Sequence, residues 1–171
     1  MSWRISLRAA QAAALVLAAA SLSSCGFTPL YATPGVSSGL SAVDVVAPDG
    51  RTGYLIREHL DDALAKNRSV SPQWRMQLQL SEQRFPRGLR VDNVATRYEY
   101  VLTAYYSLVD LSTGVPAKNG KVRVQLTYDS ADQPYASIAA QQDVADRAAE
   151  EAARRIQLEL AAWLATRASK S

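Results

Sequence analysis

The chain has 171 residues and a formal net charge of +3, with 19 Lys and Arg set against 16 Asp and Glu. Arg4 and Arg8 supply two of the three excess charges from a segment without acids. The high isoelectric point therefore describes the N-terminus and leaves no general nucleic-acid footprint on the rest. Cys25 is the only cysteine and His59 the only histidine, which excludes an intrachain disulfide and leaves too few ligands for a zinc cluster.

Met1–Arg8 is basic, Ala9–Ala20 is uncharged and interrupted only by Gln11, and Ser23 and Ser24 lead into Cys25. This is the tripartite layout of a secretory signal peptide, with an apolar run shorter than the roughly 20 residues that span a bilayer. Leu22-Ser23-Ser24-Cys25 resembles the bacterial lipobox, which implies cleavage before Cys25 and lipid on its sulfur. Residues 1–24 are thus expected to be a leader, and removing 24 of 171 residues leaves 147. A chain of that length buries about 68–70% of its unfolded surface, enough for one domain. A tri-acylated cysteine should stay on its bilayer, since each buried methylene contributes about 0.8 kcal/mol. Gly26 stands where an inner-membrane retention signal would place Asp, so the expected destination is the outer membrane, facing the periplasm.

Residues 25–39 are expected to be the lipidated N-terminus and a linker, broken by Pro29, Pro34, Gly35 and Gly39. Phe27, Leu30 and Tyr31 make it too apolar for a purely solvated tether. A single domain follows over residues 40–168. Leu40–Ala47 reads as a β-branched strand. Pro48-Asp49-Gly50 is a turn, and Thr52 is expected to cap a helix to about Lys66, with Ile56, Leu60, Ala63 and Leu64 on one face. In Trp74–Leu80, Trp74, Met76, Leu78 and Leu80 alternate with Arg75, Gln77 and Gln79, the pattern of a half-buried strand. Ser81–Asn93 reads as a charged connection with turns at Pro86 and Gly88. Ala95–Asp110 alternates again, with Tyr98, Tyr100, Leu102, Ala104, Tyr106 and Leu108 on one face. After turn signals at Ser112-Thr113-Gly114 and Asn119-Gly120, Val122, Val124, Leu126 and Tyr128 alternate with polar residues, so these two runs read as a hairpin.

From about Gln133 to Arg167 the period becomes helical, with a stripe of Ala145, Ala149, Ala152, Ile156, Leu160 and Trp163. Glu150/Arg154 and Glu151/Arg155 are favourable i,i+4 pairs. The order β-α-β-β-β-α, with one apolar stripe per helix and one apolar face per strand, predicts an α+β fold. It is a two-layer sandwich with both helices on one face of a four-stranded mixed sheet. The polar face of that sheet then meets water or a polar partner.

Cys25-Gly26-Phe27-Thr28-Pro29-Leu30-Tyr31 resembles the mature N-terminus of the lipopolysaccharide-assembly lipoprotein family LptE, in its alphaproteobacterial form. Arg97-Tyr98, Val124-Gln125-Leu126-Thr127-Tyr128, Gln133-Pro134-Tyr135-Ala136 and the Ala-rich last helix extend the likeness over nearly all of the mature chain. The resemblance implies a non-enzymatic plug that sits in the outer-membrane β-barrel LptD, helps assemble it and binds lipopolysaccharide. No cofactor is expected, and the charge balance argues against a nucleic-acid partner.

Lipopolysaccharide phosphates are anionic, and Arg and Lys recognise phosphate by charge-assisted hydrogen bonds. The candidate contacts are Arg84, Arg87 and Arg90 in one connection, and Lys118, Lys121 and Arg123 near the next. Neighbouring loops are expected to bring the two groups to one end of the sheet; the plainer reading makes both solvated turns. Tyr105, opposite the apolar tyrosines, is the aromatic expected to meet a partner. A Ser-His-Asp enzyme would depend on His59 and lacks a Gly-x-Ser-x-Gly elbow. The alternative function is a scaffold or binding lipoprotein of another envelope machine.

Overall fold

The computed structural model describes residues 34–89, 95–130 and 133–169. Cys25 and Arg90 lie outside them. The elements run in the order α1 (Val36–Ser41), β1 (Val43–Val46), α2 (Arg51–Ala63), β2 (Trp74–Leu89), β3 (Ala95–Asp110), β4 (Pro116–Asp129) and α3 (Pro134–Ala168). The four strands lie in sequence order in one sheet. β1 pairs parallel with β2, the pairing that the α2 crossover permits. β2 with β3 and β3 with β4 are antiparallel. The helices share one core with one sheet face, as the alternating patterns require.

That core joins Trp74, Met76 and Leu78 of β2, Tyr100, Leu102, Ala104, Tyr106 and Leu108 of β3, and Val122, Val124 and Tyr128 of β4. Ile56, Leu60 and the following Leu64 enter it from α2. From α3 come Val144, Ala145, Ala148, Ala149, Ala152, Ala153, Ile156, Leu160 and Ala161. Pro134 occupies the first turn of α3, where its missing N–H has no intrahelical partner to lose. The 35 residues of this helix extend about 52 Å, close to the length of the 16-residue strands it crosses.

Three local expectations are corrected. Residues 36–41 form a short helix where a linker and the start of a strand were expected. Val36 and Leu40, one turn apart, are buried, and Gly39 lets the helix approach the Leu164 side chain closely. One apolar pair in a Gly- and Ser-rich stretch is too short a signal for periodicity to reveal. Thr52 does not cap α2. Gly50 holds the N-cap with φ of 115°, a left-handed value that favours glycine, and Thr52 lies buried beside the Tyr100 hydroxyl. Ser81–Leu89 is not a connection but the second half of β2, paired with β3 through register shifts at Pro86/Gly88 and Gly88/Leu89. Polar residues on both faces hid that strand. Its pairing with Ala95–Thr103 of β3 defines it.

Candidate site: an open sheet face and a cleft at its helix-covered side

Among the described residues no helix covers the second face of the sheet. There the odd-numbered residues of β3 alternate away from the core, and their neighbours are Arg75, Gln77, Gln79, Ser81, Gln83 and Phe85 of β2 and Lys121, Arg123, Gln125 and Thr127 of β4. Amides and hydroxyls dominate, and two aromatics stand out of them. Tyr105 is 44% exposed and Phe85 39%. The Lys121 ammonium lies 5.2 Å from the centre of the Tyr105 ring, a cation–π distance. Arg87 pairs with Glu99 and lies 5.9 Å from the Phe85 ring centre. Glu99 also accepts a 2.9 Å hydrogen bond from Gln125 Nε2. Val101 is 2% exposed in the middle of this face, under the longer side chains around it. Tyr105 stands where strand alternation predicts.

On the helix-covered side the sheet outruns its cover. A cleft of about 490 Å³ opens between the Pro48–Gly53 turn, Leu80, Glu82 and Arg84 of β2, and Ile138, Gln141 and Gln142 of α3. Arg84 Nη1 donates to Gln141 Oε1 at 3.0 Å. Tyr100 donates from its hydroxyl at 2.6 Å to Oε2 of Glu82, a residue that lines the cleft. Burial, and then the Glu82 carboxylate, push the Tyr100 phenol above its ordinary value. Tyr106 is raised in the same way, first by burial and then by Glu159, which accepts its hydroxyl at 2.5 Å.

The five candidate cations among the described residues do not converge. Arg84 lies level with Tyr100, Arg123 with Thr103, Lys121 with Tyr105 and Lys118 with Leu108. Arg84 and Lys118 are thus eight rungs apart, roughly 27 Å along the strands. Arg84 and Lys118 belong to the helix-covered side, whereas Arg87, Lys121 and Arg123 belong to the open face. Loops do not gather these residues because they lie on strands, whose register fixes them apart. Sequence reasoning missed Arg51, Gln141 and Gln142, which share the cleft with Arg84. Nothing in their local pattern signals it, since the cleft forms where α2, β2 and α3 meet.

His59 Nε2 lies 2.8 Å from Asp146 Oδ1 and ties α2 to α3. Among the described residues no group of three or more metal-ligating side chains forms a cation site.

An α+β domain with helices on one face of a four-stranded sheet, and a polar second face left open, is the class that this geometry defines. The family model for LptE, described as lipopolysaccharide-assembly, matches residues 40–160. A crystal structure from Caulobacter crescentus, of a protein described as a lipoprotein, is 53% identical, with 78% of this chain and 97% of that chain covered and a TM-score of 0.68. Rare lipoprotein B from Shewanella oneidensis is 17% identical, with 70% and 93% covered and a TM-score of 0.54. Lipoprotein B from Nitrosomonas europaea is also 17% identical, with 71% and 82% covered and a TM-score of 0.54. These last two are likenesses of fold alone. No curated protein matches. The chain belongs to the LptE lipopolysaccharide-assembly family.

Proposed function

We propose that the protein is a non-enzymatic outer-membrane lipoprotein, acylated at Cys25, that seats in an LptD-type β-barrel and binds lipopolysaccharide during its transport. The observation that carries this reading is the open sheet face. A long, twisted surface of Gln, Ser and Thr, with Tyr105 and Phe85 rising from it, suits the polar inner wall of a large barrel. Amide and hydroxyl groups hydrogen-bond such a wall without the desolvation cost of many fixed charges. The two aromatics give contact area at low conformational cost.

Arg84 and Arg51 in the cleft, with Arg87, Lys121 and Arg123 on the open face, are the described candidates for lipopolysaccharide phosphates. Lys118, at the opposite end of the sheet, and Arg90 complete the set. Arg87 is already matched by Glu99, so Arg84 and the open-face Lys121 are the stronger contacts.

The test is purification through a tag at Ser171 from the organism's own outer membrane. A stoichiometric large β-barrel, retained by the native chain and lost by Tyr105→Glu with Phe85→Glu, supports the seat. A different envelope protein in equal amount would favour the scaffold reading instead.

A further inference from the structure

We propose that the end of the domain next to Pro34 is a docking surface for phospholipid headgroups, separate from the open sheet face. The inference rests on the reading of Cys25 as the lipidated residue.

Several segments meet at this end. Val43 pairs with Trp74, and Trp74 with Asp110. The Leu111 N–H donates to the Gln73 carbonyl at 3.0 Å, the Asp110 N–H to the Val115 carbonyl at 3.1 Å, and the Gln73 N–H to the Ala42 carbonyl at 2.9 Å. The loop before β2 and the β3–β4 turn are therefore held side by side, next to α1. Each presents aliphatic side chains outward: Val70 is 43% exposed, Leu111 38% and Val115 59%.

The last turns of α3 finish at the same end. Trp163 is half-buried and meets Trp74 edge to face, with ring centres 5.3 Å apart. The Arg167 guanidinium lies 5.0 Å and 5.3 Å from the two ring centres. Arg68 is exposed in the loop that carries Val70. Aliphatic tips, an indole and the exposed Arg68 form the mixture that partitions into the headgroup layer, where apolar groups leave water and a guanidinium meets phosphate. Arg167 is engaged with the two indoles and with the Asp110 carboxylate.

Chain length says which membrane is within reach. Eight residues lie between Cys25 and Pro34, and the nine chain steps, fully extended, span about 30 Å. The other end of the strands lies roughly 50 Å further away. The tether thus holds the Val70, Leu111, Val115 and Trp163 end at high local concentration against the bilayer that takes the acyl chains. Weak contacts suffice under that condition.

The tryptophans make the surface its own reporter. The full chain has three, Trp3, Trp74 and Trp163, and cleavage before Cys25 removes the first. The acylated protein is reconstituted in phosphatidylethanolamine–phosphatidylglycerol vesicles with brominated acyl chains. Acylation is checked by mass spectrometry and membrane attachment by flotation. The expected result is quenched, blue-shifted emission, together with slowed amide exchange over residues 68–71 and 111–115. Both effects should be lost in Leu111→Asp with Val115→Asp, which floats as before. An acylated protein that floats with unquenched emission and unprotected loops overturns the docking surface and leaves the lipid anchor standing. Protection that appears only when a barrel protein is present overturns it in favour of a protein contact. A chain without acyl groups overturns both.

Discussion

Gly120 and Tyr106 are directly paired across β4 and β3, and the ring of Tyr106 lies over the glycine. A Cβ at position 120 would overlap the Tyr106 ring atoms Cζ and Cε1. Here the glycine serves volume, not backbone conformation. It lets the tyrosine cross the sheet edge and donate to Glu159 of α3. Gly120→Ala should cost roughly 1–3 kcal/mol of stability, the usual range for overpacking, read as a lowered urea midpoint at unchanged m-value. The two buried tyrosines also set an alkaline limit. Both phenols are raised in the folded state above the ordinary value near 10. The unfolded chain therefore loses these protons first, and their contribution is full below about pH 10 and is lost as pH rises beyond it. Denaturant titrations above pH 10 should show a steep decline that Tyr100→Phe with Tyr106→Phe makes shallower. An identical decline in that double variant would reject the linkage.

At the level of elements, α3 works through small residues. Ala148, Ala149, Ala152 and Ala153 are fully buried, so the helix backbone lies close to the sheet and to α2. Ala152→Leu should force α3 outward and cost about 1–3 kcal/mol, visible as a fall in melting temperature. The His59–Asp146 pair between α2 and α3 contributes less. Its members have side-chain exposures of 26% and 50%, and such pairs are worth about 1 kcal/mol or less. His59→Ala should therefore leave lipopolysaccharide binding unchanged and shift melting only slightly. Loss of function with an intact fold would revive an enzymatic role for the only histidine.

For the whole molecule, register decides what the charges do. Arg84 and Lys118 carry the same charge and share the helix-covered side, yet only Arg84 lines the cleft with Arg51 and Gln141. Arg84→Glu should weaken binding of lipopolysaccharide to the acylated protein several-fold, as loss of one charge-assisted contact does. Lys118→Glu should change it little. The reverse order in a direct binding measurement would reject the cleft as the phosphate contact. Because the cleft and the open face lie on opposite sides of one sheet, an open-face variant such as Tyr105→Glu should affect barrel retention while leaving Arg84-dependent binding in place.

Alternation and helical period determined which side is buried in α2, α3, β3, β4 and the first half of β2. Trp74, Met76 and Leu78, the tyrosine strand, and the stripe from Ala145 to Leu160 all lie where their spacing puts them. That pattern is local, since a side chain's face follows from its position in the repeat. It also decided the two-layer α+β class and the exposure of Tyr105. Tertiary structure alone decided the rest. Ser81–Leu89 is a strand because β3 supplies its ladder, and Val36–Ser41 is helical because the core accepts Val36 and Leu40. The cations are dispersed because strand register spaces them by about 3.4 Å per residue, whatever their distance in sequence. A cleft assembled from three elements has no local signature, for it is made of distances between segments that only the folded chain fixes.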